Sequence, residues 1–513
     1  MGLTLFLVGL VAVAAVLQCL LGLRRSSSSS SSSSCGGLPC LPRLPLLGSL
    51  LSLRSHLPPH LLFTRLTDTY GRLYALYLGT HLTVVVNDYA HAREVLLAKG
   101  REFAGRPYMV TTELLTRGGK DIAFADYGPL WRNQRRLVHS AFSLFGEGSS
   151  KLQTIVLEAA DCLVAELLSL RAQDECVGNG VCDEGVCKCV CVDPAPAILR
   201  AVTNVVCRLV FSGNYRAGDP EFKEVMDYND GIVQTIARGD LVDIYPLLRI
   251  LPNKVLKKLK ACVKVRDCLL TRKLEEHKES LTPGDPRDLL DALLEGRSSG
   301  GDIDLSDDHV LMTAAEAFGA GVETTSTTIL WAIAFLLHHP EVQERVQAEL
   351  DECVGAERAP LLSDRTRMPV LDSVMCEVMR IRPVSPVLIP HVAMQDTSIG
   401  GHPVAKGTRV LVNMWAIHHD PQQWDQPDSF RPDRFLDDSG QRVTTPSFLP
   451  FGAGPRVCVG ESLARMELFL FLSRLLQRCH LTVPRGGSLP DLQGHYGVVL
   501  QPPKYTVTIK ART

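Results

Sequence analysis

Between Gly2 and Leu23 the chain is a run of Leu, Val, Ala and Phe with no charged residue. About 20 such residues span a bilayer as a helix. Arg24 and Arg25 close the run and no Lys or Arg precedes it. The positive-inside bias therefore predicts a single-pass anchor over residues 1–25, with the rest of the chain in the cytosol. A cleaved signal peptide would instead start with a positive region and place small residues behind a shorter apolar core. Ser26–Ser34 can bury nothing and reads as a tether. Pro39, Pro42 and Pro45, ahead of Gly48, favour a stiff extended hinge, so residues 26–48 form the connection.

Beyond the hinge the pattern changes. Leu73–Leu78 and Leu82–Val86 are apolar runs of strand length, broken at Gly79. From about Lys151 helical spacing dominates. Ser306 predicts an N-cap, with Asp307 and Asp308 favouring the helix dipole, and the helix extends to about His338, before Pro340. At 1.5 Å per residue it is roughly 45–50 Å long and crosses a whole domain. A second helix is predicted from about Pro369 to Ile381, stopping before Pro383. A third begins near Cys458 and stays apolar through Leu476. Short strands with Gly and Pro breaks fill Ser398–Val412 and the C-terminal end. The expectation is a mainly α fold with small β-sheets (α+β). Length alone allows roughly two to four domains. No repeat or disordered linker divides residues 49–513, so they are read as a single large domain.

The chain has 513 residues, 45% hydrophobic and 21% charged, which supplies a large core. Its net charge of −2 gives no reason to expect nucleic acid as a partner. Sixteen cysteines in a cytosolic body stay mostly reduced. Five of them, Cys176, Cys182, Cys187, Cys189 and Cys191, crowd residues 174–192. Alternating C-x-C-x-C suits a soft-metal site poorly, because neighbours on a strand point to opposite faces. The stretch reads as a surface insertion of reduced thiols, with metal or redox binding as the alternative.

The chemistry concentrates in Phe451-Gly452-Ala453-Gly454-Pro455-Arg456-Val457-Cys458-Val459-Gly460. A glycine-rich loop is expected to deliver Cys458 to the first turn of a helix, where backbone N–H groups and the dipole favour a thiolate. Three further segments stand in order before it: Trp131-Arg132-Asn133-Gln134-Arg135, Ala320-Gly321-Val322-Glu323-Thr324-Thr325 and Glu377-Val378-Met379-Arg380. Alone, each of the three is weak. A Thr-rich helix turn is usually packing, and a Glu/Arg pair at i,i+3 is usually a solvated face. The Thr324 hydroxyl can bond back to the Ala320 carbonyl and locally distort the long helix.

Taken together, the segments resemble the cytochrome P450 superfamily. F-x-x-G-x-R-x-C-x-G resembles its haem-binding loop, which implies haem b with Cys458 as axial thiolate and metal ligand. A thiolate ligand pushes electron density onto iron and favours O–O cleavage. The resemblance makes Thr324 and the adjacent Glu323 the proton-delivering pair of the oxygen groove. It makes Arg456, Trp131, Arg135, Arg106 and His391 haem-propionate contacts. It makes Glu377 and Arg380 the E-x-x-R pair, locked by Arg434 of Phe430-Arg431-Pro432-Asp433-Arg434-Phe435.

Longer runs narrow the resemblance to the vertebrate steroid 17-alpha-hydroxylase subfamily, with steroid 21-hydroxylase the nearest competitor. These are Asp240–Pro246, Ile250–Lys254, Phe318–Thr325 and Leu388–His391. The subfamily implies Asn229 and Arg266 as polar contacts for the steroid's far end, and Glu316 where Asp is usual. It implies Val384, Val387, Val498 and Val499 as apolar wall. For the valines alone, ordinary core is the competing reading. It further implies an endoplasmic reticulum membrane location, electrons from NADPH-cytochrome P450 reductase, a steroid substrate and possible pairing with cytochrome b5. One departure bears on the outcome. Relatives that cleave the 17,20 carbon bond carry Arg just before the E-x-x-R Glu, on the cytochrome b5 face. Here Cys376 stands there, although Lys99 and Arg365 of that face are kept. Hydroxylation with weak or absent lyase activity is expected.

Three rivals make different demands. A relative that rearranges substrate without oxygen has no use for Glu323-Thr324. A non-catalytic haem-binding membrane protein consumes no NADPH with steroid present. If residues 174–192 were the functional module, deleting them would abolish activity.

Overall fold

The computed structural model describes residues 34–144, 150–169, 190–216, 218–237, 240–298 and 305–512. The apolar run, all but the last of the serine tether, and the Cys-rich stretch up to residue 189 lie outside the described residues.

The architecture is mainly helical with small sheets. Its spine is the Asp307–His338 helix, whose bounds match the Ser306 cap and the Pro340 stop. Ser306 and His309 form a reciprocal cap at its start. Pro340 opens the next helix, Pro340–Cys353, at the position where a missing N–H costs nothing. The spine packs along Ala195–Phe211, Glu461–Arg478 and Pro369–Ile381. Val322, Ile329, Trp331 and Ala332 are fully buried along it. Among the described residues it is the only helix long and apolar enough to cross a membrane, and most of its apolar stretch is buried in the core.

The two early strands form as expected, Leu73–Leu78 antiparallel to His81–Val86. Arg409–Val412 adds in parallel to His81–Val86, and His391–Val392 pairs with its other edge. Side chains alternate between two apolar clusters. Ala75, Val84, Val86, Val410 and Val412 pack on one face, and Tyr74, Leu76, Val85 and Leu411 on the other. Burial on both faces explains why these strands read as continuous apolar runs.

Two expectations are revised. Residues 190–192 are not surface insertion but a strand, Val190–Val192, paired with Val507–Ile509 in a three-stranded sheet that also holds Cys479–Thr482. The helix after the glycine-rich loop is Glu461–Arg478, with Gly460 as its cap. Cys458 therefore lies in the loop, two residues before the cap, rather than in the first helical turn.

Candidate active site

The spine helix, the Pro129–Leu144 helix and the Phe451–Gly460 loop enclose a cavity of about 320 Å3. The spine contributes a stripe at helical spacing: Thr313, Glu316, Ala317, Ala320, Gly321, Thr324 and Thr328. Arg135, Val138 and Phe142 come from one face of the Pro129–Leu144 helix. Met379, Val384, Leu388, Ile389 and His391 come from the segment after Pro369.

Cys458 faces this cavity. Its N–H donates to the Phe451 carbonyl at 2.9 Å, closing the loop. Gly454 is required in that loop. Its φ is +71°, and a Cβ would lie 1.8 Å from the Leu96 carbonyl oxygen. The Cys458 side chain is open toward the cavity and otherwise enclosed by protein. Burial raises its thiol pKa, with the Gly460 N–H opposing. The Gly460 N–H, at the cap of the Glu461–Arg478 helix, only partly offsets burial, and a cation bound to sulfur would ionise the thiol.

Three guanidiniums, of Arg106, Arg135 and Arg456, also line the cavity. None of them is in an ion pair among the described residues. Burial, and then Arg456, pushes Arg106 down to about 9. Burial lowers Arg456 to about 10, with Asp126 opposing and Arg135 adding to the fall. Arg135 is lowered by burial too. Their N–H groups are spent on backbone carbonyls. Arg106 Nε donates to Ala123 O (2.7 Å), Arg456 to Ala104, Ile122 and Ala125 O (2.8–3.0 Å), and Arg135 to Val457 O (2.5 Å). Trp131 is buried behind them, donating to Ile122 O at 2.8 Å, with Arg456 stacked 4.1 Å over its ring. It supports the guanidiniums and does not itself line the cavity. His391 donates from Nδ1 to Phe103 O (2.8 Å), and burial followed by Arg106 lowers it to about 3, so the ring is neutral.

A thiol facing crowded cations that lack a direct ion-pair partner fits a metal-bearing ligand with carboxylate arms. Haem is such a group: iron for Cys458 and two propionates for the guanidiniums.

Thr324 lines the cavity, and its hydroxyl donates to Ala320 O at 2.7 Å, while the helix runs on as α-helix. Glu323 does not line the cavity. Its carboxylate accepts from the Gln501 amide, and its pKa is raised by burial. Glu316 does line it, but its two oxygens accept from the N–H groups of Ile122 (2.8 Å) and Ala123 (2.7 Å). Burial and Asp121 push its carboxyl up to about 8.

Of the subfamily-implied steroid contacts, Glu316 and Val384 are on the wall, and the other five are not among the lining residues. Asn229 is buried away from the cavity. Arg266 is held by Asp267 at 2.7 Å and Leu115 O at 2.8 Å. Val387 packs against the sheet cluster around Leu411. Val498 is 39% exposed, and Val499 is buried off the cavity. Position in a family pattern fixes a backbone site, and the side-chain direction depends on local packing. Conversely, Val138 and Phe142 went unnoticed, although their i,i+3 and i,i+7 spacing from Arg135 marks them as one face. Glu467, also on the wall, had no signal, being one acid inside an apolar helix; burial pushes it up to about 8.

Glu377 and Arg380 are fully buried and joined by two bonds of 2.7 and 2.8 Å. Arg434 Nε (3.1 Å) and the Arg431 N–H (2.8 Å) add to the same carboxylate, and Arg380 also holds His418 O. Cys376 is fully buried beside them, its sulfur 2.7 Å from Arg442.

A model of the cytochrome P450 family matches residues 38–509. A protein of Oryzias latipes named steroid 17-alpha-hydroxylase/17,20 lyase is 52% identical over 478 residues, 91% of this chain and 90% of its own length. One of the same name from Gallus gallus is 52% identical over 474 residues, with the same coverage. A solved structure of a zebra fish cytochrome P450 with progesterone is 66% identical, with a TM-score of 0.79, covering 88% of this chain and 100% of that one. The chain belongs to the cytochrome P450 family, whose members are haem-thiolate enzymes.

Proposed function

We propose that this chain is a membrane-bound steroid 17-alpha-monooxygenase acting on progesterone- or pregnenolone-type steroids. The observation that carries the reading is an apolar cavity set over Cys458 and edged by three guanidiniums that make no direct ion pair among the described residues. Its similarity to relatives named for 17-alpha-hydroxylation supports the substrate.

Cys458 would hold the haem iron, and Arg106, Arg135, Arg456 and His391 would face its propionates. Bound there, thiolate-ligated haem supplies the oxygen chemistry that inserts a hydroxyl into a C–H bond. The chain supplies the rest. Phe142, Ala317, Val384 and Ile389 exclude water and orient a flat hydrocarbon. The Thr324 hydroxyl lines the cavity and can pass a proton there once it releases its bond to Ala320 O. Glu323, held on Gln501, can resupply protons only by leaving that contact. Electrons come from NADPH-cytochrome P450 reductase. The 17,20-cleavage step is weak, because Cys376 is a buried thiol where cytochrome b5 would need an exposed cation. Lys99, tied to Glu94 and Ser398, and Arg365, tied to Asp372, leave only part of that surface.

Reconstitution with reductase, NADPH and progesterone tests the reading. The expected product is the 17-alpha-hydroxylated steroid, with little androstenedione even after cytochrome b5 is added. A 21-hydroxylated product would replace this function with its nearest rival, and abundant androstenedione would overturn the weak-cleavage part.

A further inference from the structure

The loop between the short helix Val110–Leu115 and the helix at Pro129 forms one wall of the cavity through Ile122 and Ala123. It is gripped on two sides. Its carbonyls take donors from Trp131, Arg106 and Arg456. Its N–H groups at Ile122 and Ala123 are both taken by the Glu316 carboxylate of the spine, one oxygen to each, at 2.8 and 2.7 Å. Glycines stand at both ends of the loop, where the backbone is least restricted once the Gly118 N–H bond to Glu113 O breaks. Gly118 and Gly119 both have φ +78°, and Gly128 has open space where a Cβ would be.

We propose that Glu316 is a positioning residue, a latch that holds the 118–128 loop shut over the cavity and sets how fast a bound ligand leaves. The carbonyl-side donors are the residues that an anionic cofactor would draw upon. To whatever extent it does, Glu316 holds the middle of the loop, while Gln134 Nε2 on Lys120 O (2.8 Å) and Asp126 on the Arg106 N–H (3.1 Å) hold its flanks. The latch depends on side-chain length. An aspartate is shorter by about 1.5 Å and cannot reach both N–H groups. A glutamine keeps the length but offers one acceptor and turns an NH2 toward a donor. The inference rests on the steroid reading only for the identity of the ligand.

The test uses the full-length, haem-loaded protein in detergent, with Glu316→Asp and Glu316→Gln. Amide hydrogen exchange at residues 122 and 123, measured without steroid, reads the latch directly. Progesterone dissociation, followed by the spin-state change of the haem, reads its consequence. Exchange is expected to quicken by roughly tenfold or more in both variants, most in the aspartate, because two buried hydrogen bonds are weakened or lost. Progesterone release should quicken in parallel, while the reduced carbon monoxide spectrum stays that of thiolate ligation. If Glu316→Asp fails to fold, Glu316→Gln decides. Unchanged exchange at residues 122 and 123, or quickened exchange with unchanged release, overturns the latch. If unaltered protein gives no spectral response to progesterone, the steroid reading fails, and the exchange rates alone decide the latch.

Discussion

Arg380 and Glu377 have no solvent contact, so neither can lose its partner cheaply. Removing one member of such a pair leaves an uncompensated buried charge at a cost of about 3–5 kcal/mol. Glu377→Ala strands Arg380 and also frees Arg434 and the Arg431 N–H. It is expected to yield almost no protein with a thiolate-type reduced carbon monoxide spectrum; Glu377→Gln, which still accepts, should retain a minor fraction. Cys458→Ser behaves differently. Its packing change is small, so the fold should persist by circular dichroism while that Soret band is lost. The contrast shows what was legible in single residues. The Cys458 loop was readable because glycine, arginine and cysteine at fixed spacing constrain backbone and charge together, whereas the E-x-x-R pair alone reads as a solvated face and was legible only through the family resemblance. The Thr324 bond to Ala320 follows from i,i+4 geometry alone. Arg266 and Asn229 were not readable as cavity residues or otherwise, because what decides their direction, the Asp267 carboxylate in one case, comes from the folded surroundings.

At the scale of elements, His277 and Asp288 join three helices. His277 closes the Lys254–Ser280 helix, with Nδ1 2.7 Å from Lys273 O and Nε2 2.8 Å from the Asp288 carboxylate. Both neighbours only accept, so both ring nitrogens must donate, and the ring is an imidazolium. Asp288 also takes the Ser212 hydroxyl at the end of Ala195–Phe211 and the Asp291 N–H at the start of Leu289–Ser298. Burial opposes the charge, but the Asp288 carboxylate outweighs it and holds His277 above its usual pKa of 6.5. A raised folded-state pKa means the stabilisation is complete below the unfolded value and lost as pH rises through the folded one. The apparent Tm should therefore fall as pH climbs above the ordinary histidine value of 6.5. His277→Gln should be less stable at the acid end and show a flatter profile; an equally steep one would refute the imidazolium. The bounds of elements were more legible than their contacts. Ser306, Pro340 and Pro383 punctuate the spine and the Pro369–Ile381 helix, since caps and prolines act locally. The strand Val190–Val192 was hidden because its partner, Val507–Ile509, is more than 300 residues away.

Over the whole molecule, the exposed apolar residues are unevenly spread. Leu46, Leu47 and Leu51 lie at the end of the hinge and just beyond it, and Leu241, Leu247, Ile250 and Leu251 follow the Pro220–Ala237 helix. Leu247 and Ile250 are 83% and 80% exposed. The two segments belong to one surface, because the Tyr245 hydroxyl donates to Leu46 O at 2.9 Å and Ile244 packs under Gly79. So many exposed aliphatic side chains in one region mark a surface that meets something apolar. The hinge ties this region to the expected anchor over residues 1–25, so the bilayer is the nearest apolar phase. Each buried leucine would gain about 1.5–3 kcal/mol on entering it. The anchor alone would tether the body at any tilt; such a second contact would fix which face meets the lipid. Leu247→Trp in the full chain, reconstituted in vesicles with brominated acyl chains, should show strong quenching of the added fluorescence. Leu361→Trp, near Arg365, should not. The four native tryptophans set the background, and three of them, Trp131, Trp331 and Trp424, are buried. Equal quenching at both positions would mean that the body tumbles on its tether, and that the Leu247 surface awaits a protein partner instead.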